Sequence, residues 1–406
     1  MKWLIDRIRK MRPGDWRALF LLAISFIPGK LWKLFSKPIW VISEYENNAR
    51  DNGYWFYKYI RENHQEIRSY YPISYGSPDF NKVKPLGNIV RFGSLKHYCL
   101  FWAASFYCSS GSVQGFPYPR ICEDIVLKNL HGFKYIFLNH GITRGYSHIV
   151  NAKTTNYDLL ITCSSLDKKI IVEDNGQPES KVALTGFARH DNLGSELRDP
   201  KLIVIMPTWR GYLYYRDEVS KEQIDKTTSE FIDSDYHIKY NELLNSNEFI
   251  EYLEKNDMQC VFYLHQNAQP YAGYFHSSSD RITIGSAGSF DIQTLLKKAA
   301  VLITDYSSVC YDFAYMHKPV LYYQFDREEF ESKHYASGKN FSYEANGFGD
   351  ICFDLNALIT DLWMLYSLNN TMDEKYVRRV DDFFAYFDHD NRKRILHAIE
   401  SLKQIK

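Results

Sequence analysis

Short unbroken apolar runs alternate along this chain with stretches whose apolar residues recur at helical spacing. Runs of the first kind mark strands buried on both faces. Pro38 to Ser43 (PIWVIS) reads as the first of them. A polar loop, Glu44 to Asn52, leads from it into a helix carrying Tyr54, Phe56, Tyr57, Tyr59 and Ile60. IRSYYPI (67–73), YIFL (135–138) and LLIT (159–162) predict three further strands. A second series opens at Lys201, with strands expected at Leu202 to Met206, Val261 to Leu264, Val301 to Thr304 and Val320 to Tyr323. Helical patterns cover Ile292 to Ala300 and Val309 to Met316. Strand–helix alternation, run twice, predicts an α/β protein of two Rossmann-like lobes. The polar stretch GSELRDP places the boundary near Leu193 to Pro200. The predicted division is a helical segment over 1–37, a first lobe over 38–195, a second over 196–372, and a charged amphipathic helical segment over 373–406. Two such lobes facing one another leave a cleft at the carboxyl ends of both sheets, where doubly wound sheets bind ligands.

The first 37 residues follow a different pattern. Lys2, Arg7, Arg9, Lys10, Arg12, Arg17, Lys30, Lys33 and Lys37 stand against only Asp6 and Asp15, interleaved with Trp3, Trp16, Phe20, Phe26, Trp32 and Phe35. The longest apolar run, Ala18 to Ile27, is shorter than the ~20 residues a spanning helix needs, and Pro28 and Gly29 are expected to break it. A small-residue cleavage site after Ile27, the mark of a signal peptide, is missing. Basic residues with Trp and Phe at helical spacing predict helices lying on an anionic membrane surface. The alternative is a helical pair packed on the protein's own core.

Composition narrows the function classes. Forty-nine basic residues balance 49 acidic ones, which disfavours nucleic acid as a partner, since that affinity rests on phosphate neutralisation. Hydrophobic residues make up 45% of the 406, enough for two cores at ~150 residues per domain. The seven cysteines are scattered and form no Cys-x-x-Cys pair, so they read as reduced buried thiols of a cytosolic protein rather than zinc ligands or disulfides.

The candidate chemistry sits at predicted strand ends. Thr304, Asp305, Ser307 and Ser308 lie between an apolar strand and an immediate helix, and two serines exceed what one helix cap needs. Hydroxyls and backbone N–H groups there suit a phosphate. Arg210 follows the first strand of the second lobe, and its planar fork suits the same ligand. His265 ends another strand of that lobe and can donate a hydrogen bond to a phosphate or protonate a leaving group. His140 ends a strand of the first lobe, where a neutral imidazole can take a proton from a hydroxyl. Gly141 beside it permits close backbone approach. TGFARHD (185–191), with Arg189, reads as a hinge near the substrate or as a structural turn.

Taken together, ISEYENNARDNG (42–53), NHG (139–141), TGFARHDNL (185–193), PTWR (207–210), LHQN (264–267) and ITDYSSVCYDFAYMHKPVLYYQFDREEF (303–330) resemble the CDP-glycerol glycerophosphotransferase family of teichoic-acid and capsule synthesis. The resemblance runs from about residue 40 to 350. It implies a GT-B-like fold, with the donor nucleotide in the second lobe. It also implies transfer of glycerol phosphate, or in relatives ribitol phosphate, from a CDP-alditol to a hydroxyl of a lipid-linked saccharide or polymer. By motif, His140 is the expected general base, His265 and Arg210 contact the donor pyrophosphate, and Thr304, Ser307 and Ser308 cradle phosphate. Asp305, Gly141, Arg189 and Asp326 are further expected substrate contacts. The family often has an aromatic before the His-Gly and a Pro after the second His; here Asn139 and Gln266 stand there.

The expected reaction is attack of an acceptor hydroxyl on the β-phosphorus, releasing CMP. With no Asp-x-Asp cluster placed for Mg²⁺, no metal or other cofactor is expected. The expected location is peripheral, on the cytoplasmic face of a bacterial membrane. The alternatives are a glycosyltransferase of the same fold using a UDP- or GDP-sugar, and a non-catalytic scaffold of a polymer-synthesis complex. No pattern in the chain specifies an oligomeric state.

Overall fold

A computed structural model describes residues 11, 13–118, 122, 131–194, 198–214, 221–286, 288–334 and 337–402. The chain divides into two compact units. The first comprises Met1–Asn192 together with Ala385–Lys406, and the second Leu193–Phe384.

The first unit is built on a seven-stranded parallel sheet in the order β3-β2-β1-β4-β5-β6-β7. Its strands are β1 (Ile39–Ser43), β2 (Arg68–Ile73), β3 (Ile89–Arg91), β4 (Phe106–Ser109), β5 (Lys134–Phe137), β6 (Leu159–Thr162) and β7 (Val182–Leu184). All are paired in parallel, for example Trp40 with Phe106 and Tyr107 with Tyr135. β1 is buried at every position, which is why it reads as an unbroken apolar run. The second unit has a six-stranded parallel sheet in the order β10-β9-β8-β11-β12-β13. It contains β8 (Leu202–Ile205), β9 (Gln259–Tyr263), β10 (Ile282–Gly285), β11 (Val301–Thr304), β12 (Val320–Tyr323) and β13 (Gly349–Cys352). Each sheet carries its own apolar core, centred on residues such as Tyr107, Phe137 and Leu160 in the first unit and Ile205, Phe262 and Ile303 in the second.

The unit boundary, at Asn192, falls within three residues of the expected position. The expected C-terminal segment, 373–406, is not one piece. Helix Glu374–Phe383 belongs to the second unit, and the chain then returns to the first, where Ala385 N–H bonds the Cys163 carbonyl. The last helix, Asn391–Ser401, buries Ile395, Leu396 and Ile399 there.

The expected break at Pro28–Gly29 is also corrected. The helices run Pro13–Ile24 and Phe26–Phe35, and the break falls at Ser25, whose hydroxyl donates to the Leu22 carbonyl. Pro28 lies in the first turn of the second helix, where no intrahelical N–H bond is lost. Gly29 allows helix–helix contact: a Cβ there would lie 2.6 Å from the Trp102 Cβ and 2.7 Å from the Cys99 carbonyl oxygen. Trp102 Nε1–H donates to the Leu22 carbonyl, and Phe26 meets the Trp102 ring edge-on at 5.0 Å. The pair therefore packs on helix Leu95–Ala103 by one face, while Phe20, Ile27, Leu31, Leu34 and Phe35 stand exposed. No single described helix is long and apolar enough to cross a membrane; the pair, bent by 42°, passes only when both helices are taken together. Residues 1–10 and 12 of the expected anchoring segment lie outside the described residues. All seven cysteines are free of disulfides, and six are buried.

Candidate active site

Parallel pairing puts the carboxyl ends of β1, β4, β5, β6 and β7 on one edge of the first sheet, and that edge holds His140. Its backbone is fixed from several directions. Asn139 takes a left-handed φ of 61°, so the turn's unusual conformation falls on Asn139 and not on Gly141. The Asn139 Oδ1 accepts from the N–H groups of His140 (2.9 Å) and Gly141 (3.4 Å), and its amide donates to the Ile161 carbonyl. Past the histidine, the Thr143 N–H donates to Asp167, a buried carboxylate at the start of helix Ser165–Glu173. Burial raises the Asp167 carboxyl to about 7.

The polar loop after β1 supplies the other supports. Buried Glu44 accepts the backbone N–H groups of Arg50, Asp51 and Tyr54, at 3.0, 2.9 and 2.7 Å, so one carboxylate folds the loop back on itself. Asp51 caps helix Asn52–Asn63 and accepts from Arg189 Nη1 at 2.7 Å; the same guanidinium nitrogen donates to the His140 carbonyl at 3.3 Å. Arg189 is thus a structural tie in the TGFARHD turn. In the same turn Gly186, at φ 80°, leaves room for Asn391, and Asp191 accepts from the backbone N–H groups of Asn391 and Arg392 and from Arg392 Nε.

The His140 ring is exposed, yet its pKa lies below the ordinary histidine value. Desolvation by the surrounding protein is the largest cause. Arg189 reinforces it, while the Asp51 carboxylate and a hydrogen bond with the Ser110 backbone oppose it. That direction favours the neutral imidazole, the form a general base requires.

On the second sheet, the carboxyl ends of β9, β8, β11 and β12 bring His265, Trp209, Asp305 with Ser307 and Ser308, and Asp326 to one edge. His265 Nδ1 accepts from the Asn267 N–H at 3.2 Å, which places the ring proton on Nε2. Its ring is nearly parallel to that of Trp209 (18°, centroids 6.1 Å apart), and Trp209 also meets His334 edge-on. Desolvation, then the neighbouring His334, lower the His265 pKa to about 4. A neutral ring with its proton on Nε2 is a hydrogen-bond donor, so the first of the two roles expected for His265 suits it better than proton donation. Ser308 is exposed and makes no side-chain cap for the seven-residue helix Val309–Tyr315; Ser307 Oγ accepts weakly from Val309 N–H at 3.4 Å.

Four of the expected ligand contacts lie in the interior, bonded to protein groups. Arg210 is fully buried. Its Nε and Nη2 donate to Asp326 at 2.8 and 3.0 Å, and its Nη1 reaches the Thr208 carbonyl and Asp305 at 2.6 and 2.9 Å. It also lies over the rings of Tyr236, Tyr306 and Phe330. Asp305 further accepts from Thr208 N–H, Tyr306 N–H and Tyr240 O–H. Asp326 accepts from the Tyr306 hydroxyl as well. Thr304 is buried, its hydroxyl given to the Met206 carbonyl at 2.7 Å. Arg210, Thr304, Asp305 and Asp326 thus form a buried scaffold beneath the edge. Trp209, His334, Glu44 and Asn52 were not singled out in the sequence, although Glu44, Asn52 and Trp209 lie within the segments that carry the resemblance. The neighbours of Trp209, His334 and Asn52 come from distant segments, so local spacing gives those three no signal, whereas the partners of Glu44 lie only six to ten residues on.

The family model for CDP-glycerol:poly(glycerophosphate) glycerophosphotransferase matches residues 29–401. The chain belongs to that family. It is 32% identical over 373 residues to the minor teichoic acid biosynthesis protein GgaB of Bacillus subtilis, covering 91% of this chain and 40% of that protein. It is 26% identical over 376 residues to the teichoic acid poly(glycerol phosphate) polymerase of the same organism, covering 84% of this chain and 46% of the relative. The chain thus spans less than half the length of the curated relatives it matches. Among solved structures, the wall teichoic acid polymerase TagF superposes with a TM-score of 0.64 at 17% identity, covering 98% of this chain and all of that one. A UDP-N-acetylglucosamine 2-epimerase of Listeria monocytogenes, described as putative, superposes with 0.56 at 14% identity, covering 91% and 98%. Both likenesses concern the fold, two parallel-sheet α/β units of the GT-B-like kind.

Proposed function

We propose that this glycerophosphotransferase-family chain moves an alditol phosphate from a CDP-alditol to a hydroxyl of a lipid-linked or growing cell-surface polymer. The observation that carries the reading is a histidine with a lowered pKa at the carboxyl edge of each sheet, in a chain matched by the family over 29–401. The acceptor hydroxyl attacks the β-phosphorus and its proton passes to His140. The new O–P bond forms as the bond from the β-phosphorus to the bridging oxygen breaks, and CMP leaves with that oxygen. The His265 Nε2–H donates to the pyrophosphate, and Ser307 and Ser308 offer hydroxyls to the same group. The anionic donor raises the His265 pKa as it binds, strengthening that contact. Glycerol phosphate is the first candidate, from the names of relatives, and ribitol phosphate the second. The transfer needs no metal in this scheme. The exposed apolar residues of the first two helices hold the protein at the cytoplasmic membrane surface, near a lipid-linked acceptor.

The test is CMP release by the whole chain with CDP-glycerol, then CDP-ribitol, and an oligomeric or lipid-linked acceptor, in EDTA. Acceptor-dependent release that His140→Ala lowers by on the order of 10²-fold or more supports the reading. Turnover of a UDP- or GDP-sugar in place of either CDP-alditol would replace it with a glycosyltransferase. Polymer formation in cells unaffected by alanine at both His140 and His265 would point to a scaffold.

A further inference from the structure

We propose that Asn52 is the positioning residue for His140. This rests on the reading of His140 as the base. Asn52 is fully buried at the start of helix Asn52–Asn63. Its Nδ2 donates to the carbonyls of Leu138 (3.2 Å) and Asn139 (2.8 Å), and its Oδ1 accepts the Arg189 N–H at 3.1 Å. One side chain thus binds three backbone groups on two segments, one entering the His140 turn and the other carrying the Arg189 tie.

The peptide joining Asn139 to His140 is held at both ends. Its carbonyl accepts from Asn52, and its N–H donates to Asn139 Oδ1 at 2.9 Å. That clamp fixes the peptide plane from which His140 departs and holds Asn139 in a left-handed conformation that a non-glycine residue adopts at a cost. Only an amide supplies two donors and an acceptor in this shape. A carboxylate would set an oxygen against two carbonyls, and alanine would leave three buried backbone groups unanswered. Proton transfer is steep in distance, so an error of ~1 Å at the base costs on the order of 10²-fold in rate. The Asn52 contacts act on the backbone that sets that distance.

Asn52→Asp in the whole chain is expected to lower kcat by 10-fold to 10²-fold, with KM for CDP-glycerol changed less than about 2-fold, because the donor contacts lie on other residues. In a His140→Ala background the same change should cost nothing further. Equal losses in both backgrounds would overturn the proposal. A second readout needs no turnover. The His140 imidazole resonance, assigned by its loss in His140→Ala, should move and titrate at a different pH in Asn52→Asp. An unmoved resonance and titration overturn the proposal. If His140→Ala retains full activity, the functional reading fails, while the resonance still reports whether Asn52 sets that ring. Where Asn52→Asp does not fold, Asn52→Ser keeps one donor. It should then show a smaller kcat loss and a smaller resonance shift in the same direction, and wild-type values in both would overturn the proposal.

Discussion

A guanidinium with no exposed surface needs both its charge and its N–H groups answered within the protein. Arg210 meets that need with two buried carboxylates and a backbone carbonyl. Arg210→Met should destabilise the second unit by about 3–5 kcal/mol, because Asp305 and Asp326 would then be buried without their counter-ion. Urea unfolding measures this, and a loss below about 1 kcal/mol would count against the scaffold role. Arg210→Lys keeps the charge and loses the fork. At temperatures where it stays folded, its KM for CDP-glycerol should match the wild type, whereas a residue gripping the donor would raise it. His140 carries a pH prediction. Its folded pKa is lowered, and the base must be neutral, so kcat/KM should be level at pH 7 and fall as pH drops through a value below the ordinary 6.5. An acid limb centred above 6.5 in the pH profile would refute this assignment. The strand-end positions of both histidines were legible in the sequence, since a His where an apolar run gives way to a loop is a local pattern. The burial of Arg210 was not, because its partner Asp326 lies 116 residues away.

At the scale of elements, legibility followed burial. β1, β6, β8, β11 and β12 are buried nearly throughout and show as apolar runs. β4 is equally buried. It was missed because the apolar helix Leu95–Ala103 leads into it after only two residues, so no polar break marks its start. β3, β10 and β13 lie at sheet edges, are short and mix buried with half-buried or exposed positions. The first two helices were read as surface anchors or as core, and one face serves as core while the other is open. Two of their lysines turn inward: Lys33 Nζ donates to the Ala104 and Gly132 carbonyls and Lys30 Nζ to that of His131, and desolvation lowers both pKa values. Among the described residues of this pair, the outward face is therefore mostly apolar, with Arg17 exposed on the first helix. Ile27→Glu at 67% exposure and Phe20→Glu at 63% should together weaken binding to anionic vesicles by at least about 10-fold and leave the melting temperature within ~2 °C. Unchanged vesicle co-sedimentation would remove the case for these helices as the anchor.

At the scale of the whole molecule, the chain leaves its first core at Asn192 and comes back to it at Ala385. The returning piece matters to the first unit because Asp191 takes up two orphan N–H groups at the start of helix Asn391–Ser401 and pairs with Arg392, 201 residues away in sequence. Three apolar side chains of that helix are buried at the same place. Two separate cores predict two unfolding transitions in calorimetry, since cooperativity follows the packed core. Asp191→Ala removes the cap and the ion pair together, so the transition of the first unit should fall by about 1–3 kcal/mol. The other transition, belonging to a core built wholly from Leu193–Phe384, should hold its temperature. CDP-glycerol should do the reverse, raising the second unit's transition with ligand concentration, because the proposed pyrophosphate contacts His265, Ser307 and Ser308 all lie in that unit. If Asp191→Ala lowers both transitions equally, the two cores unfold as one. If CDP-glycerol raises the first transition instead, the donor site belongs with His140, and the roles proposed for the two histidines must be exchanged.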